Sequence, residues 1–372
     1  MTSMVKENKM VSPYFLFFLM HSAQTGVSVL NFQSNVIRGA GHDAWLSVLA
    51  FGLVLHVVFL MMLLIMKVSS SGDILSFHRD VFGNIFGGAL NIILACYLAI
   101  VSLFAIRTYI DILQIWVFDG IASWEFSLLL SLLVYYIVVG GIRVITSIAF
   151  WGVVIPTFLL LSLLYLLGFA EVSYLSPPFE HRAKDYFISA KEIAPMYFGF
   201  ETVLVFFPFI KNKEKAQKRG HLGLLYTTSL YTIITIITFL FFSQGKLQHL
   251  TWPTLTMIKI IRLPFLERFE FIFIFTWLLV VMPVICTYLW SAVRCMKATI
   301  PKLKPTYILV GFLLIFHYVN SQLVEIHYSS VMEKYIGYSG LILLFCYIPF
   351  LFLIAIIRKK MTKKRKRPPE AS

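Results

Sequence analysis

Apolar runs of about 20 residues recur along this chain, separated by short stretches that hold most of its charge. A run of that length lets an α-helix cross the roughly 30 Å hydrocarbon core of a bilayer. Ten runs can be read, near 12–36, 43–67, 86–108, 124–141, 144–168, 193–210, 221–243, 269–292, 306–323 and 337–357. In lipid every backbone polar group must be bonded internally. The expected fold is therefore an all-α polytopic membrane protein with ten transmembrane helices. Composition agrees: 59% of residues are hydrophobic and 13% are charged, against about 45–50% and about 25% in soluble domains.

The net charge of +14 raises nucleic acid as a partner, but its placement argues against that. Lys and Arg fall in blocks between apolar runs, which is the positive-inside pattern of membrane proteins. With the N-terminus in the cytoplasm, the densest blocks, 211–219 and 358–367, both face inward. Ten crossings return the C-terminus to the same side. The basic tail, 358–372, then reads as a stop-transfer anchor against anionic membrane lipid. At the N-terminus, Lys6 and Lys9 precede an apolar run as in a signal peptide. His21 stands where a small residue is wanted for cleavage, so an uncleaved first span is expected.

No HExxH, GxSxG, paired CxxC or GxxxxGK[ST] pattern occurs, so no enzyme chemistry, metal or cofactor is expected. Cys96, Cys286, Cys295 and Cys346 lack ligand spacing and read as small buried hydrophobes.

Two spans are costly to build. In 193–210, Pro195, Gly199 and Pro208 interrupt an apolar segment that also holds Glu201. A carboxylate at the centre of a bilayer costs roughly 2.5–3.5 kcal/mol on insertion scales. In 12–36, the polar run His21-Ser-Ala-Gln-Thr-Gly26 lies at mid-membrane depth. These are the first and sixth spans, each opening one five-span half. Interrupted helices at matching positions point to an inverted repeat, with halves 1–168 and 193–357. An odd number of spans per half makes the halves run in opposite directions, as that architecture requires.

A broken helix exposes N–H groups that suit a carboxylate and C=O groups that suit an ammonium. A zwitterionic amino acid presents both. The candidate binding residues are Ala23, Gln24, Thr25 and Gly26 in the first span, and Phe198, Gly199, Phe200 and Glu201 in the sixth. Tyr97 in the third span and Thr276 and Trp277 in the eighth are candidates to line the cavity. Glu201 either pairs with a ligand ammonium or fixes the bend, and the sequence leaves both readings open. His56 reads as a helix-packing histidine.

Between spans, 69–83 reads as a short amphipathic interfacial helix. Gly140-Gly-Ile-Arg143 reads as a tight turn. Ser176-Pro-Pro178 opens a loop into the sixth span. The 250–264 loop has helical spacing and fits either a lid over an outer vestibule or a helix resting at the interface.

Four stretches together carry a family resemblance: Phe198-Gly-Phe-Glu-Thr-Val-Leu-Val-Phe-Phe-Pro-Phe-Ile210 with its basic block, Gln24-Thr-Gly-Val-Ser-Val-Leu30, Gly140-Gly-Ile-Arg-Val-Ile145, and Trp252-Pro-Thr-Leu255 leading to Pro264-Phe-Leu-Glu-Arg-Phe-Glu270. In order and over essentially the whole length, they resemble the GerAB-type spore germination proteins. These are the B subunits of the germinant receptors of endospore-forming bacteria. The resemblance implies the amino acid–polyamine–organocation superfamily and a LeuT-like 5+5 inverted repeat with helices 1 and 6 broken. It implies residence in the inner membrane of the spore, a small germinant such as an amino acid, and assembly with the A and C subunits of the receptor. An active amino-acid/cation symporter is the alternative. Spans five and eight carry no interior Lys or carboxylate, which favours sensing.

Overall fold

The computed structural model describes residues 7–118, 120–175, 178–261, 268–322 and 326–365. Ser176, Pro177, the 264–267 part of the Pro264–Glu270 motif and tail residues 366–372 lie outside the described residues. Helix dominates the rest, and the one β-bridge among the described residues joins Val11 to Ile210. The chain is an all-helical, multi-pass membrane protein.

Helical residues cover all ten predicted runs. Six helices are long and apolar enough to cross a membrane: Gly41–Val68, Ile74–Trp116, Ile142–Phe169, Lys213–Phe241, Phe269–Thr299 and Val331–Met361. The pair Ala183–Tyr197 and Phe200–Phe209, bent by 49° at its break, passes the same test together and makes a seventh crossing when taken as one broken span. Three predicted spans fall short for physical reasons. The first stops at Gln24, ten residues in. Ser123–Val139 has only 17 residues. Pro305–Gln322 has 18 but ends on the polar residues Asn320, Ser321 and Gln322.

The Ile74–Trp116 helix has 43 residues, about 65 Å at 1.5 Å per residue, twice the thickness of a bilayer core. Gly83 divides it, with φ 77° and ψ −179°, a conformation only glycine adopts cheaply. The short amphipathic helix expected before the third span is the piece ahead of this kink. A buried network fixes the angle. His78 donates from Nδ1 to Asn91 Oδ1 (2.8 Å), and its Nε2 accepts from Tyr347 OH (2.8 Å). Tyr347 closes a π-helical turn, Leu343–Tyr347.

Phe269–Thr299 is the most buried of the six long helices and packs along Ile74–Trp116 and Ile142–Leu160. Pro283 lacks an N–H, so the carbonyl of Leu279 has no helical donor. Gly152 fits against that carbonyl, where a Cβ would collide with it. Phe15–Gln24 and Trp45–Val68 pack on Lys213–Phe241, and Ser123–Val139 packs on Pro305–Gln322.

The basic blocks gather at one end. Val11 bonds to the residues on either side of Ile210, its N–H donating to Phe209 O at 2.8 Å and its carbonyl accepting from Lys211 N–H at 2.9 Å. Lys211 pairs with Glu7 at 2.9 Å, and Arg143 donates to Asn8 O. At the turn between the Ser123–Val139 and Ile142–Leu160 helices, Gly141 has φ 78°.

One expectation needs correction. Cys286 and Cys295 are buried, but Cys96 and Cys346 are exposed on the outside of the bundle, where an apolar thiol tolerates lipid. The 250–261 segment turns its apolar face to the protein: its Pro253–Ile258 helix buries Leu255, Met257 and Ile258 completely.

Candidate functional site

The first helix closes on Thr25. Both the N–H and the Oγ1 of Thr25 donate to His21 O, at 3.0 and 2.8 Å. The chain resumes as a 3-10 turn, Val27–Leu30. His21 is buried and shares a hydrogen bond with Thr227 (2.9 Å). Thr227 spends its own proton on Gly223 O, so the imidazole is the donor.

The sixth segment breaks at Phe198-Gly199. Gly199 has φ 124° and ψ −39°, outside the regions open to other residues. The break is set against the first one. A Cβ on Gly199 would collide with the carbonyl of Ala23 and come within 2.9 Å of Gln24 N. Gln24 Nε2 donates to Tyr197 O at 2.8 Å, a carbonyl freed where the first half-helix stops. Tyr231 OH closes the other side, donating to Gln24 O at 2.8 Å with Met196 O at 3.4 Å. Trp277 Nε1 donates to Gly26 O at 3.3 Å, its ring stacked on Phe273.

Glu201 is buried at the start of the second half-helix. Its Oε2 accepts from Gly199 N–H at 2.6 Å. Its Oε1 accepts from Tyr288 OH at 2.8 Å and Tyr97 OH at 3.1 Å. A helix N-terminus favours a negative charge, and here the protein supplies its own. The N–H expected to meet a ligand carboxylate is therefore already occupied. The three donors are neutral, and Glu201 forms no ion pair among the described residues. Of its two readings, this geometry is that of a carboxylate fixing the bend.

The nominated residues thus form two linked groups. Ala23, Gln24, Gly26, Gly199 and Trp277 meet at the facing breaks, and Tyr97 and Glu201 sit just beyond. Thr25 caps its own helix. Phe198 and Phe200 are buried packing residues, Phe198 lying against the bare backbone of Gly340. Thr276 is half-buried, and no hydrogen bond joins it to either group. Sequence reasoning missed Tyr197, Tyr231 and Tyr288. For Tyr288 the available signal was the carboxylate itself, since a buried one needs donors; Tyr197 and Tyr231 donate to the backbone carbonyls of Val48 and Gln24, which no sequence pattern announces. His56 packs against His221 as expected of a helix-packing histidine, with rings stacked at 5.1 Å and Nδ1 atoms 2.8 Å apart.

Above the breaks, the 250–261 segment seals one side. Thr254 Oγ1 donates to Val29 O at 3.2 Å and accepts from Gln33 Nε2 at 2.9 Å. Ser34 Oγ donates to Leu250 O at 2.5 Å. A cavity of about 1270 Å³ opens elsewhere, at the basic end, lined in part by Lys67, Arg79, Lys213, Pro208 and Arg294. None of the nominated residues lines it. Arg294 there pairs with Asp73 at 3.0 Å.

Comparison with known proteins places this geometry. The family model described as spore germination protein matches residues 10–329. A protein named spore germination protein GerQB, from Bacillus cereus, is 34% identical over 353 residues, covering 95% of this chain and 98% of its own. Spore germination protein B2 of Bacillus subtilis (strain 168) is 21% identical over 264 residues, 70% of this chain and 71% of its own. Spore germination protein A2 of the same organism is 20% identical over 328 residues, 87% and 88% of the two chains. With most of its length matched by both the family model and a 34% identical relative, the chain belongs to the spore germination protein family.

Proposed function

We propose that the chain is the membrane subunit of a germinant receptor and that it binds a small germinant of the amino-acid class where the two helix breaks face each other. In this reading ten crossings form two inverted five-helix halves, 1–168 and 193–357, on a transporter-like scaffold. The protein sits in the inner membrane of the spore with both termini in the cytoplasm. It assembles with the A and C subunits of the receptor.

Gln24 carries the reading. Its amide nitrogen is bonded to Tyr197 O, while its Oε1 is buried without a partner among the described residues. Leaving such an acceptor unmade costs about 1–3 kcal/mol. It is a seat for an N–H donor, and an ammonium is the donor an amino acid brings. Glu201 already fills the neighbouring helix N-terminus, so selection falls on the ammonium end of the ligand.

Gln24→Leu keeps a side chain of similar bulk and removes both polar atoms. Spores carrying it should lose their response to germinant while the membrane level stays unchanged, and an unaltered dose–response would overturn the site. Uptake of radiolabelled amino acid into proteoliposomes separates sensing from symport. No gradient-driven accumulation is expected, and saturable accumulation would replace the sensor with a symporter on the same scaffold.

A further inference from the structure

A groove runs down the outside of the bundle between the Phe15–Gln24 and Lys213–Phe241 helices. We propose that it holds one acyl chain of an anionic phospholipid, with the lipid phosphate bound at Arg219. The groove has a volume of about 500 Å³; Phe17 and Phe18 line it from one helix and Leu222, Leu225 and Tyr226 from the other. Arg219 and Tyr14 form its mouth and Ser229 its far end.

The mouth is built for an anion. The Arg219 guanidinium carbon lies 4.3 Å from the centroid of the Tyr14 ring, and Arg219 forms no ion pair with a carboxylate among the described residues. The planar fork of Arg suits phosphate oxygens. Arg219 is also the last residue of the basic block 211–219, and the apolar run begins at Leu222. It therefore sits at the level where headgroups meet hydrocarbon.

Length and lining choose the occupant. Arg219 to Ser229 is ten residues of helix, about 15 Å at 1.5 Å per residue. That is half of a roughly 30 Å hydrocarbon core, or one leaflet. The side chains between the two ends are apolar or aromatic, which is the lining an extended hydrocarbon chain matches, while the cation at one end matches its headgroup.

The floor of the groove touches the first helix break. The Tyr226 ring meets His21 edge-on at 4.7 Å, and His21 O holds the cap of Thr25. A bound lipid lies one side chain from the break, although the lipid site itself does not depend on the germinant reading.

Native mass spectrometry of the full-length purified chain, loaded with phosphatidylglycerol or phosphatidylcholine, tests the assignment. One basic residue near an anionic headgroup is worth about fivefold in binding. Wild type should retain phosphatidylglycerol about fivefold better than phosphatidylcholine, and Arg219→Gln should bring the two to parity. Lys218→Gln, exposed and outside the groove, should change nothing. Leu225→Trp should lower retention of both lipids with helix content unchanged by circular dichroism. Equal retention of both lipids by wild type would overturn the proposal. So would undiminished phosphatidylglycerol retention in Arg219→Gln, or equal losses in Lys218→Gln and Arg219→Gln, which would mean diffuse surface charge. A Leu222→Cys crosslink to a second protein chain, with no lipid retained, would place a partner helix there and overturn it as well.

Discussion

Gly199→Ala tests whether the two helix breaks must touch. The added Cβ meets two obstacles. The backbone at Gly199, φ 124°, is strained for any side chain, at roughly 1–3 kcal/mol. The Cβ also runs into the Ala23 carbonyl and approaches Gln24 N. Both are backbone atoms, which cannot rotate away as a side chain can. The breaks must then separate, and the bond from Gln24 to Tyr197 O is the first to lengthen. If the strain appears as a smaller population of the binding-competent arrangement, 1–3 kcal/mol corresponds to a roughly 5- to 150-fold rise in apparent dissociation constant. Gly311→Ala, far from the breaks in sequence and outside the nominated residues, is the internal control. A Cβ there meets nothing within 4 Å, and Gly311 does not occupy the left-handed region. Germinant dose–response curves on spores carrying each variant, with membrane levels checked by immunoblot, make the comparison. Gly199→Ala should shift the curve by at least fivefold and Gly311→Ala should not. Equal curves, or the larger shift at Gly311, would refute the contact between the breaks as the basis of the site.

Glu201→Gln keeps the shape but replaces one acceptor oxygen with a donor, so at least one of the bonds from Gly199, Tyr288 and Tyr97 is lost; stability in detergent should fall by about 1–3 kcal/mol, and an unchanged melting temperature would remove Glu201 from its bend-fixing role. Outside the membrane spans, the hydrogen bond and charge of Lys211 hold Glu7 below its usual carboxylate range. A depressed carboxylate stabilises above its unfolded pKa and loses that contribution as pH falls through the folded value, so the tether between residues 7 and 211 should loosen below about pH 4; a spin-label distance between Asn8 and Asn212 should lengthen there, and Lys211→Met should abolish the pH dependence.

The fold was legible where its cause is local. Apolar length marks a span whatever it packs against, so all ten runs became helical. Gly141 and the kink at Gly83 could be anticipated because a positive φ is a property of one residue. Spans fell short where polarity within a run, rather than its length, decides the end. The first helix stops at Gln24, inside its polar run, and Asn320 to Gln322 dilute the Pro305–Gln322 helix. The 250–261 segment stayed open between two readings because amphipathic spacing looks the same whether its apolar face meets lipid or protein. Only Thr254 reaching Val29 and Gln33 separates the two.

At the site, the breaks could be read and their contents could not. A glycine and a carboxylate in an apolar run announce a discontinuity, because each is costly there. Which group satisfies the freed N–H is a question of three-dimensional reach. Glu201 lies two residues beyond Gly199, close enough to fold back on it, and Tyr97 and Tyr288 come from helices 104 and 87 residues away in sequence. Sequence spacing favoured a ligand carboxylate at that N–H, and the chain's own carboxylate took the position instead. That exchange moves the open valence of the site from the sixth span to the first. With the Gly199 N–H occupied, Gln24 Oε1 is a buried side-chain atom at the breaks without a partner among the described residues. In the reading proposed above, a receptor arranged this way would discriminate among ligands by the donor they offer, and a glutamine in a broken first helix would carry as much of the specificity as the glutamate that first drew attention.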